Sequence, residues 1–175
     1  MAAGWLRQYG VMGLMAALAT QAMVPSAAYA RSRDHARMEA QYAQPEAGPV
    51  PLQCDDRKFL ADVEMAESAS GPHADRVEHV CGRVIAVSRA RRTRSGWHGY
   101  FYVDVGSGVS IRIVSDLDRM SAPAWPWVAK GDQADVLGRY YYDSPRSQGI
   151  DWTHHGTGRN WPVEGYVVVN GSRYQ

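Results

Sequence analysis

Two cysteines, two phenylalanines and almost no net charge are all that 175 residues supply. Two cysteines leave room for one disulfide and no denser framework. A Gly-x-Ser-x-Gly elbow is missing, and neither cysteine stands in a catalytic context, so nothing marks a nucleophile. No internal repeat is visible. The apolar stretch Val11–Val24 carries no charge but falls short of the roughly twenty residues that a spanning helix needs.

That stretch follows Arg7 and precedes Ala28-Tyr29-Ala30, a small-x-small cleavage pattern. Together these read as a secretory signal peptide over residues 1–30, and no stable membrane insertion is expected once it is removed. Removal takes Arg7 and no acid, which leaves 18 basic against 18 acidic side chains. Such a balance argues against broad attraction to nucleic acid or anionic lipid and leaves room for a local patch. Residues 31–52, rich in Ala, Gln, Pro and charge, read as a disordered tether. Residues 53–175 then form one domain of periplasmic or secreted location. In that compartment Cys54 and Cys81 are expected to pair.

Asp55 can cap a helix running to about Ser68, with Phe59, Leu60, Val63 and Ala66 on one face and Gly71-Pro72 beyond its end. From Val77 the period changes to two. Strands are expected over 79–87, 97–105, 109–114, 133–142, 150–153 and 165–169. Arg89, Arg91, Arg92 and Arg94 fall in a basic loop between the first two, and residues 115–130 form an irregular connector. Short strands with a long connector after the third predict a mainly β chain, a small OB-like β-barrel of five to six strands with an N-terminal helix. Tyr140-Tyr141-Tyr142 with Trp125, Trp127, Trp152 and Trp161 supply the rings that close a barrel so poor in phenylalanine.

The C-terminal third holds Trp152-Thr153-His154-His155, Gly165-Tyr166 and Asn170-Gly171-Ser172-Arg173-Tyr174-Gln175. Further upstream stand Gly82-x-Val84, His98, Gly131-Asp132 and Gly138-x-Tyr140. On these motifs, residues 82–175 resemble a family of small exported bacterial proteins classed as a domain of unknown function. The resemblance implies a fold and a site location, with Arg159 matching a family arginine, and no activity. Asp151, Ser115 and Asn160 stand where the family tends to have histidine, so a metal site does not carry over.

Several chemistries fit these residues. His98, His154 and His155 are candidate metal ligands, although neighbouring strand residues face opposite ways. Asp151 and His154 could pair as carboxylate and imidazole in a general base. The arginine loop beside Tyr100, Tyr102 and Arg112 suits an anionic or planar ligand. The expected function is a binding module of the cell envelope for a small anionic or planar ligand. His98, Tyr100, Tyr102, Arg112 and His154 are its contacts and Arg159 its anion clamp. No metal and no cofactor is expected. The partner is a small ligand or an envelope component, with nucleic acid as a lesser possibility. The alternative is a histidine-dependent phosphodiesterase or nuclease-like hydrolase, with or without a metal ion.

Overall fold

The computed structural model describes residues 49–70, 73–159 and 161–175. The expected signal peptide, nearly all of the expected tether and the Gly71-Pro72 helix stop lie outside these residues. The described residues are mainly β, with one helix, α1 (Asp56–Ser68), and seven strands. These are β1 (Arg76–Thr93), β2 (Gly96–Asp104), β3 (Ser110–Asp116), β4 (Gln133–Ser144), β5 (Ser147–Asp151), β6 (Tyr166–Val169) and β7 (Ser172–Tyr174). Among the described residues no helix is long and apolar enough to cross a membrane.

Asp55 caps α1 by accepting a hydrogen bond from the Lys58 amide, 2.9 Å. Phe59, Val63 and Ala66 recur at helical spacing and face the core. Three links fasten the start of the helix to β1. A disulfide joins Cys54 to Cys81, with Cα atoms 5.6 Å apart. The Asp55 amide donates to the His79 carbonyl, 2.9 Å, and the Cys81 amide donates to Asp56, 2.9 Å. The disulfide points to an oxidising, non-cytoplasmic compartment.

β1 is long enough to serve two neighbours. Arg76–Arg83 pairs antiparallel with β4, and Arg83–Thr93 pairs antiparallel with β2. The strand changes partner at Arg83, and at the preceding Gly82 a Cβ would stand 2.0 Å from the Asp104 carbonyl oxygen, so only glycine lets the backbones approach. β2 pairs β3, β3 pairs β5 in parallel through Ile113 and Ile150, and β5 pairs β4. The β1–β4 pairing joins these five strands into a ring. Val80, Val84, Phe101, Val103, Ile113, Val136 and Ile150 fill its interior under α1. β6 and β7 extend the sheet from β4.

One local expectation is corrected. The basic loop over 88–96 is mostly strand: β1 runs to Thr93, with register shifts between Val84 and Ala86 and between Ser88 and Arg91. Such bulges break the strict alternation that marks a strand in sequence. The connector after β3 contains no helix, only a turn after Asp116 and an extended run with a cis Trp125–Pro126 bond. The tail after Asn170-Gly171 is a strand, β7, paired with β6.

Candidate functional site

β4 offers one edge to two strands in succession. Arg139–Ser144 pairs with β5 and Ala134–Leu137 pairs with β6. Between them the chain leaves the sheet at Trp152 and returns at Tyr166. Gly138 marks the gap, where a Cβ would meet the Asp151 carbonyl oxygen at 2.5 Å. The excursion is tied down from within. The Thr153 hydroxyl donates to the Val114 carbonyl, 3.0 Å, and the Gly165 amide donates to the His154 carbonyl, 2.9 Å. Trp152 adopts a left-handed backbone, φ 52°, which costs a tryptophan conformational energy.

The fold of this excursion delivers His154 to the outer face of β2 and β3. On β2, Phe101 and Val103 are fully buried in the core, so His98, Tyr100 and Tyr102 alternate to the outside. They stand opposite Asp116, Val114 and Arg112 of β3. His98 and His154 line one cavity of about 200 Å3 with Ser95, Val114, Asp116, Arg119, Arg139, Asp151 and Trp152.

Both imidazoles are oriented by backbone carbonyls. His98 Nδ1 lies 3.0 Å from the Gly96 oxygen, and His154 Nδ1 lies 2.7 Å from the His155 oxygen. A carbonyl only accepts, so Nδ1 carries the proton in each ring. In the neutral rings Nε2 is then the nitrogen with the open lone pair. Ser95 Oγ lies 3.5 Å from that atom of His98.

Two arginines and two aspartates complete the cavity. Arg139 forms a fork on Asp151, with both N···O distances 2.7 Å, and reaches Asp75 at 3.0 Å. The Asp151 bonds hold the guanidinium pKa above its usual value despite burial. Its charge is thereby matched, and it serves as a wall. Arg119 is looser: its Nε is 3.5 Å from Asp116, and the side chain is more than half exposed. Both guanidinium groups approach the Trp152 ring at 5.9 Å. The Trp152 ring also lies 5.1 Å from that of His154.

A second, smaller cavity of about 110 Å3 opens on the same face. Tyr102, Ser110, Ile111, Arg112, Pro145, Arg146 and Gln148 line it. Arg112 Nη2 donates to the Tyr141 hydroxyl, while its Nε is buried without a partner. Burial pushes the Tyr141 phenol up, so it stays a neutral acceptor for that bond.

Placed against expectation, His98 and His154 come together, and Tyr100 lies beside His98 with ring centroids 6.4 Å apart. Tyr102 and Arg112 belong to the second cavity. His155 is exposed, and Arg159 is exposed and lies outside the residues that line either cavity. The expected Asp151–His154 hydrogen bond is absent among the described residues: Arg139 engages both carboxylate oxygens, and the His155 carbonyl holds the imidazole through Nδ1. Arg119 and Arg139 were not foreseen. No sequence signal joins either to the histidines: the β4–β5 register sets the position of Arg139, and the turn after β3 sets that of Arg119. Among the described residues, the only group of three candidate ligands within metal-binding distance is Cys54, Cys81 and Asp135, whose sulfurs are already bonded to each other. No family model matches the chain, and no curated protein matches it.

The excursion depends on Gly165. A Cβ there would stand 2.1 Å from the Trp152 carbonyl oxygen and 2.6 Å from that of Leu137. Both are backbone atoms, which cannot rotate away. Gly165→Ala is expected to cost about 1–3 kcal/mol, read from the urea unfolding midpoint. A loss below about 0.5 kcal/mol, the level of an ordinary surface change, would count against this packing.

Proposed function

We propose that this chain is an exported binding module of the cell envelope, periplasmic or secreted, whose five-stranded ring is a small OB-like barrel. Its ligand is a small anion that carries a planar ring. The observation that carries the reading is the shared cavity of His98, His154, Arg119 and Trp152 on the outer face of β2 and β3. The strand order, with β3 parallel to β5 and β4 returning to β1, favours the OB-like description. Trp152 offers a stacking surface, Arg119 a weakly paired cation, and the two Nε2 atoms accept hydrogen bonds.

Tryptophan fluorescence titrated with a 5′-mononucleotide and with inorganic phosphate tests this. Saturable binding of the mononucleotide is expected, with phosphate alone weaker. A charge-assisted hydrogen bond contributes about 1.5–3 kcal/mol, so Arg119→Ala should weaken binding by about tenfold or more. Equal affinity in wild type and Arg119→Ala would remove the reading.

One observation favours a second reading, a phosphodiester hydrolase. Two imidazoles in one cavity, one of them with Ser95 Oγ at 3.5 Å from its Nε2, are the parts of an acid–base pair. His154→Ala separates the two: it should lower mononucleotide affinity only modestly, whereas it should abolish any hydrolysis of a chromogenic phosphodiester.

A further inference from the structure

The two cavities lie on one face, and the β2–β3 ladder fixes their separation. His98 and Asp116 stand opposite each other at the first, Tyr102 and Arg112 at the second. Four residues of strand separate them, roughly 13 Å at the usual rise. Neither cavity approaches the roughly 300 Å3 of a self-contained small-molecule pocket. The smaller one lacks the room for a base or sugar ring but suits a phosphate. Its cations are unopposed: among the described residues neither Arg112 nor Arg146 reaches a carboxylate. Arg112 also keeps a buried Nε without a partner.

The ground between the cavities carries aromatic rings. Tyr100 stands on it beside Val114. On the neighbouring strand Gly149 presents no side chain, and the Tyr141 hydroxyl occupies that space, 2.8 Å from where a Cβ would be. Rings therefore line the path from Trp152 to Tyr102, with a cation at either end. Arg91, opposite His98 on β1, adds another cation beside the first cavity.

We propose that the ligand is a single-stranded nucleic acid, laid along β2 and β3 with phosphates at both cavities and bases on the rings between them. This rests on the reading of the first cavity as an anion site and specifies its ligand class. Two sugar–phosphate repeats of an extended strand match the separation, so the shortest full ligand has three nucleotides and a 5′-phosphate. The mode is stacking plus backbone charge, which tolerates any base sequence.

The test titrates the full chain with thymidine 5′-monophosphate, 5′-phosphorylated oligothymidylates of two, three and six nucleotides, and heparin as an anionic glycan. Affinity should rise at least tenfold from the mononucleotide to the trinucleotide and change little per site beyond it. In Arg146→Ala, an exposed position, and in Arg112→Lys, that gain should shrink to less than threefold. The slope of log affinity against log salt for the trinucleotide should fall by about one in Arg146→Ala, which removes a charge, and stay unchanged in Arg112→Lys, which keeps it. Circular dichroism confirms that each variant is folded. A mononucleotide that binds without any gain at three nucleotides would overturn the inference and leave the first cavity's role intact. Tighter binding of heparin than of the six-nucleotide strand would overturn the nucleic-acid assignment. No binding by mononucleotide or trinucleotide would sink both.

Discussion

Raising the pH from about 5 to about 8 is expected to lower the unfolding free energy by about 2–3 kcal/mol. The cause is Glu78, which β1 buries almost completely against α1. Desolvation is the largest influence on its carboxyl and lifts the pKa from 4.5 to about 7, although Lys58 opposes the shift from 2.7 Å. Between those values the native state holds a proton that the unfolded chain has released. Stability is therefore full below about pH 4.5 and is lost as the pH rises through about 7. Asp62 acts elsewhere. Its hydrogen bonds to Lys58 and its pairing with Arg76 outweigh burial and hold its pKa low, so its contribution fades only in stronger acid. Glu78→Gln retains the shape of the protonated side chain. Urea unfolding of the variant should show little change between the two pH values. A wild type equally stable at both, or a variant with the same pH slope as the wild type, would refute this account.

Reduction of Cys54–Cys81 is expected to cost about 3.5 kcal/mol, the loop-closure value for a separation of 27 residues. The helix start should stay docked in the reduced native state, because the Asp55–His79 and Asp56–Cys81 hydrogen bonds do not involve sulfur. The loss arises chiefly from the freedom that the unfolded chain regains. Unfolding with and without a phosphine reductant measures it, and Cys54→Ser/Cys81→Ser should match the reduced protein. A change below about 1 kcal/mol would mean that the bridge adds little to what the hydrogen bonds already impose.

Both effects act on the one seam that the sequence displayed openly. Asp55 as a cap, the Phe59–Val63–Ala66 face and the pair of cysteines are local signals, each readable within a few turns of chain. The alternation of Phe101 and Val103 with Tyr100 and Tyr102 is equally plain, but which set faces the core is not, and burial of Phe101 and Val103 decides it. What stayed hidden is non-local. The bulges in β1 disguised the arginine stretch as a loop. The pairing of Arg139 with Asp151 depends on the β4–β5 register, which neither residue's neighbours reveal. In sequence Asp151 stands three residues from His154, a spacing that suggests a pair, whereas the register gives the carboxylate to Arg139. Arg119 sits in a turn of the connector with no motif around it, and only the return of residues 152–165 gives it a ring to lie against.

That return also separates architecture from chemistry. Because β5 and β6 both dock on β4, the positions where the excursion leaves and rejoins are set by β4's own hydrogen bonds rather than by the excursion's contents. The fourteen or so residues between them thus behave as a cartridge seated in a fixed socket. Exchanging that cartridge, with Thr153 and Gly165 retained as its two latches, is a route to new ligand preferences on an unaltered frame.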